Sequence, residues 1–284
     1  MADIVAYRRL LLSLQPGVID RAAFRAAADL ARLLNVEMLG VFVEDQSIVG
    51  AASLPFAREL RLPTHDWHPV SSERLALELR AAAEQARLQL AQESAAVGID
   101  CRFEVRRGDP ATTVVELCSL HDIIAVTEPS DVIERLTGAA DRLRQAALLS
   151  AATVLLLPSR PDRAGGPVIA IVADAADPGL AVAARIAASS EGGLVVLAAA
   201  DAPQMMASMR RVASETGLPP ERVKVLPLGG RTVAAAIHAL GGRRARCLVM
   251  SRNLVGFPSS APERLSAELV VPVLVIEPSP AATS

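Results

Sequence analysis

What this sequence lacks narrows its class before any motif is read. Aromatic residues make up only 2% of its 284 positions, with a single Trp and a single Tyr. A chain that is nevertheless 51% hydrophobic must fill its interior with Ala, Leu and Val. Such side chains suit helices lying close on a parallel sheet. Cysteine is scarce as well. Cys101, Cys118 and Cys247 are widely spaced, which excludes a disulfide framework or a paired-cysteine metal site and points to small buried hydrophobes in a reducing compartment. The formal net charge is only −2, and no basic stripe interleaved with aromatics occurs, so nucleic acid is not an expected partner. No apolar run reaches the ~18 residues of a membrane span. Met1 to Tyr7 carries no charged-then-apolar leader pattern, and the expected location is the cytoplasm.

The common catalytic signatures are missing too. There is no Gly-x-Ser-x-Gly elbow, and neither Cys118 near His121 nor His238 has a triad context. Where a dinucleotide fingerprint would follow the first strand of either half, the chain reads Gln15-Pro16-Gly17 and Asp174-Ala175-Ala176, and no P-loop lysine motif occurs. His65-Asp66-Trp67-His68 contains metal-ligating residue types, but two histidines three apart in a Pro-bounded loop are nonspecific. No catalytic or metal residue is assigned.

What the chain does have is an internal repeat, from Arg9 to Leu157 and again from Val168 to Ile276. Each copy opens with an apolar run (Leu10 to Leu12; Val168 to Val172), then a helix (Ile19 to Leu34; Leu180 to Ala188) and a second run (Met38 to Val43; Leu194 to Leu197). Later in each copy a strand ends near glycine, at Gly108-Asp109-Pro110 or Gly229-Gly230-Arg231. A helix, a short strand, a helix and a closing strand follow. The last two strands are Ile123 to Val126 with Val154 to Leu157, and Leu248 to Met250 with Val273 to Ile276. About five strands alternating with four helices per copy predict parallel α/β units, and the long period makes them fused domains. Pro158 to Gly166 reads as the linker and Pro278 to Ser284 as a frayed tail. The domains are expected at 1–160, with an insertion at about 46–70, and at 167–278.

Periodicity places Ile19, Ala23, Ala26, Leu30 and Leu33 on one helix face, and Leu75, Leu79, Ala82, Ala86 and Leu90 on another. Asp109-Pro110 reads as a capped helix start. The copies differ most between Glu44 and Ser71. A connection that long inside a compact domain is expected to be a lid, a binding loop or an excursion, with Trp67 packing it onto the sheet edge or over a cleft.

The order of elements, the Gly108-Asp109-Pro110 step and the closing run Glu263-Arg264-Leu265 through Val271-Pro272-Val273-Leu274-Val275-Ile276 together resemble the universal stress protein family. The chain is similar to a tandem member. The resemblance implies two doubly wound α/β domains, each an open five-stranded parallel sheet flanked by helices, Rossmann-like and of the adenine nucleotide alpha hydrolase type. It also implies that the closing strands meet across a pseudo-twofold axis, an internal pseudo-dimer, with homodimerisation of the whole chain left open. Many members bind ATP, using an Asp at the end of the first strand and a Gly-x-x-Gly stretch followed by Gly-Ser or Gly-Thr. Backbone N–H groups and a helix N-terminus there cradle phosphate, at the point where strand order reverses.

The first copy departs from this pattern. Leu14-Gln15 stands at the acidic position, Thr127-Glu128-Pro129-Ser130-Asp131 replaces the glycine pair, and only Thr137-Gly138 matches its close. The second copy keeps Asp174, and Ser259-Ser260 aligns with Gly-Ser. Its loop, Ser251-Arg252-Asn253-Leu254-Val255-Gly256-Phe257-Pro258, retains one glycine. The expected ligand-contacting residues are therefore Asp174, Ser251, Arg252, Gly256, Ser259 and Ser260, with Arg252 placed to hold an anion. ATP or another nucleotide is the cofactor the resemblance would supply. The sequence thus predicts a non-enzymatic tandem stress-response or regulatory protein with lost or weakened ATP binding, acting through an unidentified protein partner or small-molecule ligand. The alternative is a nucleotide- or small-anion-binding sensor using the second-domain cleft.

Overall fold

The computed structural model describes residues 6–14, 21–61, 66–128, 138–159, 165–198, 202–252 and 254–277. In chain order the first half runs β1 (Arg9–Leu14), α1 (Arg21–Leu34), β2 (Glu37–Asp45), α2 (Gln46–Ala52), β3 (Arg58–Arg61), β4 (Asp66–Pro69), α3 (Ser72–Val97), β5 (Cys101–Gly108), α4 (Pro110–Glu116), β6 (Asp122–Thr127), α5 (Ala139–Leu149) and β7 (Thr153–Leu157). The second runs β8 (Val168–Val172), α6 (Pro178–Ala188), β9 (Leu194–Ala198), α7 (Ala202–Thr216), β10 (Val223–Pro227), α8 (Val233–Leu240), β11 (Cys247–Ser251), α9 (Ala261–Leu269) and β12 (Val273–Ile276).

Ten of these strands form one sheet in the order β10-β9-β8-β11-β12-β7-β6-β1-β2-β5. Neighbours within each half are parallel. Within this sheet the antiparallel pair is β12 with β7, which opposes Val273 to Leu156, Leu274 to Leu155 and Val275 to Val154. The two five-stranded sheets of the sequence reading are thus merged into one. The reason lies in the closing strands, Thr153-Val-Leu-Leu-Leu and Val-Leu-Val-Ile, every residue of which is buried. Strands apolar on both faces belong inside a covered sheet, and each supplies the other's missing backbone partner.

Helices cover both faces. Residues of α1, α3, α6 and α7 enter one core layer, and those of α4, α5, α8 and α9 the other. In α1, Ala23, Leu30 and Leu33 are buried on the anticipated stripe, which widens to take in Phe24, Ala27, Ala28, Ala31 and Leu34; Ile19 lies outside the described residues. In α3, Leu79, Ala86 and Leu90 are buried. Ser71 caps that helix through the N–H of Arg74, and Gly98 closes it in the left-handed region at φ 72°. Asp109 caps α4 by accepting from the N–H of Thr112, with Pro110 in the first turn.

The insertion has secondary structure of its own. It folds as α2 and an antiparallel β3–β4 hairpin that pairs with no other strand, tied to α3 by the Arg74–Glu59 ion pair at 3.3 Å. Trp67 is not packed onto the sheet edge or a cleft: it is 60% exposed, and Phe56 is 78% exposed. An isolated two-stranded ribbon has no second layer to receive a large side chain. His65 lies outside the described residues. Among the described residues no helix is long and apolar enough to cross a membrane.

Candidate functional site

Counted from the outer edge, each half has strand order 3-2-1-4-5, so strand order reverses between β1 and β6 and again between β8 and β11. Ligands of open α/β sheets sit outside the carboxyl ends of strands at such points. In the first half β1 ends at Leu14; Gln15 and residues 129–137 lie outside the described residues. Glu128 follows β6, donating its N–H to the Leu157 carbonyl at 2.9 Å and accepting from the Ser159 N–H at 3.2 Å.

In the second half the switch point is occupied from within. Asp174 is exposed and its carboxylate accepts from the Ala176 N–H at 2.8 Å, holding a local turn. The carboxylate that reaches across is Asp177. Its Oδ1 accepts from the Ser251 hydroxyl at 2.5 Å and the Gly179 N–H at 2.9 Å, and its Oδ2 from the Ala173 N–H at 3.3 Å. One buried side chain thereby ties the end of β8, the start of α6 and the end of β11. Gly179 packs closely against this bridge: a Cβ there would lie 3.0 Å from Asp177 Oδ1 and 3.6 Å from Ser251 Oγ. The Asp-Pro-Gly start of α6 signals the cap, and nothing local signals the hydroxyl arriving from β11.

Four of the six anticipated residues, Ser251, Arg252, Ser259 and Ser260, do converge, lining a cleft of about 680 Å³ at the ends of β11 and β12. The first half forms its other wall through Leu148, Leu149 and Ser150 at the end of α5. Most of the lining is apolar, including Met250, Leu254, Phe257 and Val275. Gly256 is not among the lining residues. It sits at φ 90° where a Cβ would come within 2.7 Å of two Arg231 side-chain atoms, so its role is close approach of loop and loop. Asp174 also lies apart from the cleft.

Arg252, anticipated as an anion holder, is already engaged. Its Nη1 donates to the carbonyls of Leu148 and Ser150, and its Nη2 to that of Ala152 at 2.8 Å. Its Nε stands 2.8 Å from Glu277 Oε2 as an ion pair, although neither atom has a directional hydrogen bond. These carbonyls belong to the end of α5 and the turn beyond it, where helix groups lack internal partners and a cation is favoured. Burial lowers the guanidinium below its ordinary value, with Glu277 pulling the other way. Glu128 is the positional twin of Arg252, since each follows the fourth strand of its half and bonds to the carbonyl ending the fifth. The charge at the two positions is opposite.

Ser259 and Ser260 are exposed at the cleft mouth, and Ser260 occupies the N-cap of α9 without a side-chain hydrogen bond. Two carboxylates line the cleft, Glu263 and Glu277. Burial pushes the thiols of Cys118 and Cys247 up to about 12 and raises that of Cys101 as well, which disfavours the reactive thiolate. Among the described residues no three His, Cys, Asp or Glu side chains form a metal-sized group.

No protein-family model matches the chain, and no curated protein matches it. Solved structures do. A universal stress protein from Archaeoglobus fulgidus matches with a TM-score of 0.62 and 17% identity, over 96% of this chain and 98% of that one. A functionally unknown protein from Pseudomonas aeruginosa has a TM-score of 0.57 at 17% identity, over 97% and 94% of the two chains. A further P. aeruginosa structure, described as a putative universal stress protein, has the same score and identity over 97% and 95%. These alignments take in both halves of the ten-stranded sheet, so the chain carries the α/β fold of the universal stress proteins.

Proposed function

We propose that this chain acts by binding and not by catalysis, as a tandem stress-response protein in which ATP binding is lost or weakened. Its two units, 1–160 and 167–278, are read as an internal pseudo-dimer joined through β7 and β12. The observation that carries this reading is the Asp177–Ser251 bridge across the second switch point. A nucleotide entering there meets a buried carboxylate instead of free backbone donors, and a phosphate is repelled by it unless a cation intervenes. Arg252, the cation that would have compensated, is turned to the carbonyls of the first half. Titration calorimetry of the full chain with ATP and Mg²⁺ tests this. The expected result is no saturable binding up to about 1 mM, and tight stoichiometric ATP binding overturns it.

A second reading, a nucleotide or small-anion sensor in the second half, is supported by the convergence of Ser251, Arg252, Ser259 and Ser260 on one cleft. It requires thermal stabilisation by a nucleotide that Ser260→Ala abolishes.

A further inference from the structure

The ten-stranded sheet ends in two edges of different character. At one, β10 is five residues long, carries Lys224 and closes on Pro227. Short length, lysine and proline are the devices that keep a sheet edge from adding another strand. At the other, β5 runs eight residues with neither lysine nor proline. One bond fixes its phase: Met38 donates its N–H to the Asp100 carbonyl at 2.9 Å, with Met38 in register with Cys101. Backbone groups of an extended strand alternate from side to side, so Arg102, Glu104 and Arg106 turn theirs toward β2, and Phe103, Val105 and Arg107 turn theirs outward. No strand among the described residues meets them there. Val105 is 49% exposed, and Arg102, Arg106 and Arg107 are exposed as well. Nor is the edge guarded by charge of one sign. Arg102 and Arg107 pair with Glu37 and Glu44 of β2 at 3.2 and 2.9 Å, and Arg106 pairs with Glu104 at 2.5 Å.

We propose that β5 is a dimerisation edge, pairing antiparallel with β5 of a second copy about a twofold axis at Val105. A second copy fits because the edge is complementary to itself. Glu104 and Arg106 stand on either side of Val105, so reversing the strand sets each opposite the other. In this register Phe103 faces the partner's Arg107 and Val105 faces its own twin, all with outward-turned backbone groups, and about six N–H to carbonyl bonds form. Glu104 and the partner's Arg106 oppose each other in the pairs between, where side chains approach most closely, and the contact repeats across the axis. Moving the axis to Glu104 or to Arg106 sets like charges directly opposite, which is unfavourable. An axis at Phe103 matches opposite charges again, but it pairs only residues 101–105 of β5, where the Val105 axis pairs 102–108. Such pairing continues the sheet from one copy into the next and does not depend on whether ATP binds.

Sedimentation and amide exchange of the full chain test this. The parent is expected to pass from monomer to dimer between about 1 and 200 µM. The N–H groups of Phe103, Val105 and Arg107 should exchange more slowly in the dimer, and that of Glu104, already turned to β2, should not change. Val105→Pro is tolerated in the monomer because that N–H faces solvent, and it is expected to keep the chain monomeric throughout. Glu104→Arg and Arg106→Glu are each expected to weaken dimerisation about tenfold, and the two together to restore it to within about threefold of the parent. Joint reversal would not restore a dimer centred at Phe103, where position 104 faces the partner's Arg102. These substitutions alter side chains at the surface and decide the matter should Val105→Pro fail to fold. A monomer at about 200 µM overturns the proposal. So does a dimer whose three edge amides exchange as before, one indifferent to the single reversals, or one that joint reversal leaves weakened. ATP titration is a separate measurement, so either reading can fail without the other.

Discussion

Three donors converge on the carboxylate of Asp177, from Ser251, Gly179 and Ala173, and they do so in a buried position. Burial pushes its carboxyl above the ordinary 3.8, outweighing the lowering pull of those donors, and Asp174 adds to the rise. A raised value means that the folded state holds the proton more tightly than the unfolded chain does. The group's contribution to stability is therefore fully present below 3.8 and is lost as pH climbs through the raised value. Urea unfolding across that interval should show the stability of the parent protein falling with pH relative to Asp177→Asn. A parent-minus-variant difference that grows with pH contradicts the assignment. Asp122 behaves in the opposite sense. Burial alone would raise it, but Arg9 and Ser119 outweigh that and hold it below its ordinary value. At this scale the sequence was legible only where partners are local. Asp109 as a cap was readable because Thr112 is three residues away. The Asp177–Ser251 bridge was not, because it spans 74 positions.

Among the elements, α9 ends in a way its sequence does not favour. Val270 occupies the left-handed region at φ 54°, where a β-branched side chain crowds the backbone at a cost of roughly 1–2 kcal/mol. Asn tolerates that conformation. Val270→Asn should raise stability by about 1 kcal/mol, read as a higher urea midpoint at unchanged slope; an unchanged or lower midpoint argues against stored strain there. The helix faces of α1 and α3 were legible because a 3.6-residue period needs only spacing. The hairpin of the insertion was not. Its strands are four residues each, too short for an alternation to stand out, and the assumption that a lone Trp must be covered failed at Trp67. Gly256 illustrates a second limit. Its glycine looked like a remnant of a phosphate loop, whereas its cause is the Arg231 side chain packed against it.

At the scale of the whole molecule, arginines of the second half reach into the first. Arg185 donates to the carbonyl of Leu34 at 2.6 Å, Arg246 pairs with Asp29, and Arg252 caps the end of α5. The Arg185 and Arg246 contacts lie at α1, so both faces of the sheet are tied. Arg252→Ala leaves three carbonyls without their donor and should cost about 3 kcal/mol. Arg252→Lys should recover less than half of that, because an ammonium cannot reproduce the planar fork. Calorimetry and urea unfolding report both, and an alanine variant within about 0.5 kcal/mol of the parent would show the clamp to be idle. The repeat made the strands and their order legible. It could not reveal this clamp, since the carbonyls that Arg252 holds lie about a hundred residues upstream.

The opposite charges at the twin positions Arg252 and Glu128 bear on how such a chain can change over generations. In a symmetric pair one substitution is tried twice, once on each side, and is kept only if both copies tolerate it. Here the arginine-to-carbonyl contacts run from the second half to the first, so a change in either half is tested once, in its own setting. The two halves hold each other as neighbours through contacts that have no mirror image, so matching folds do not require matching residues at the seam.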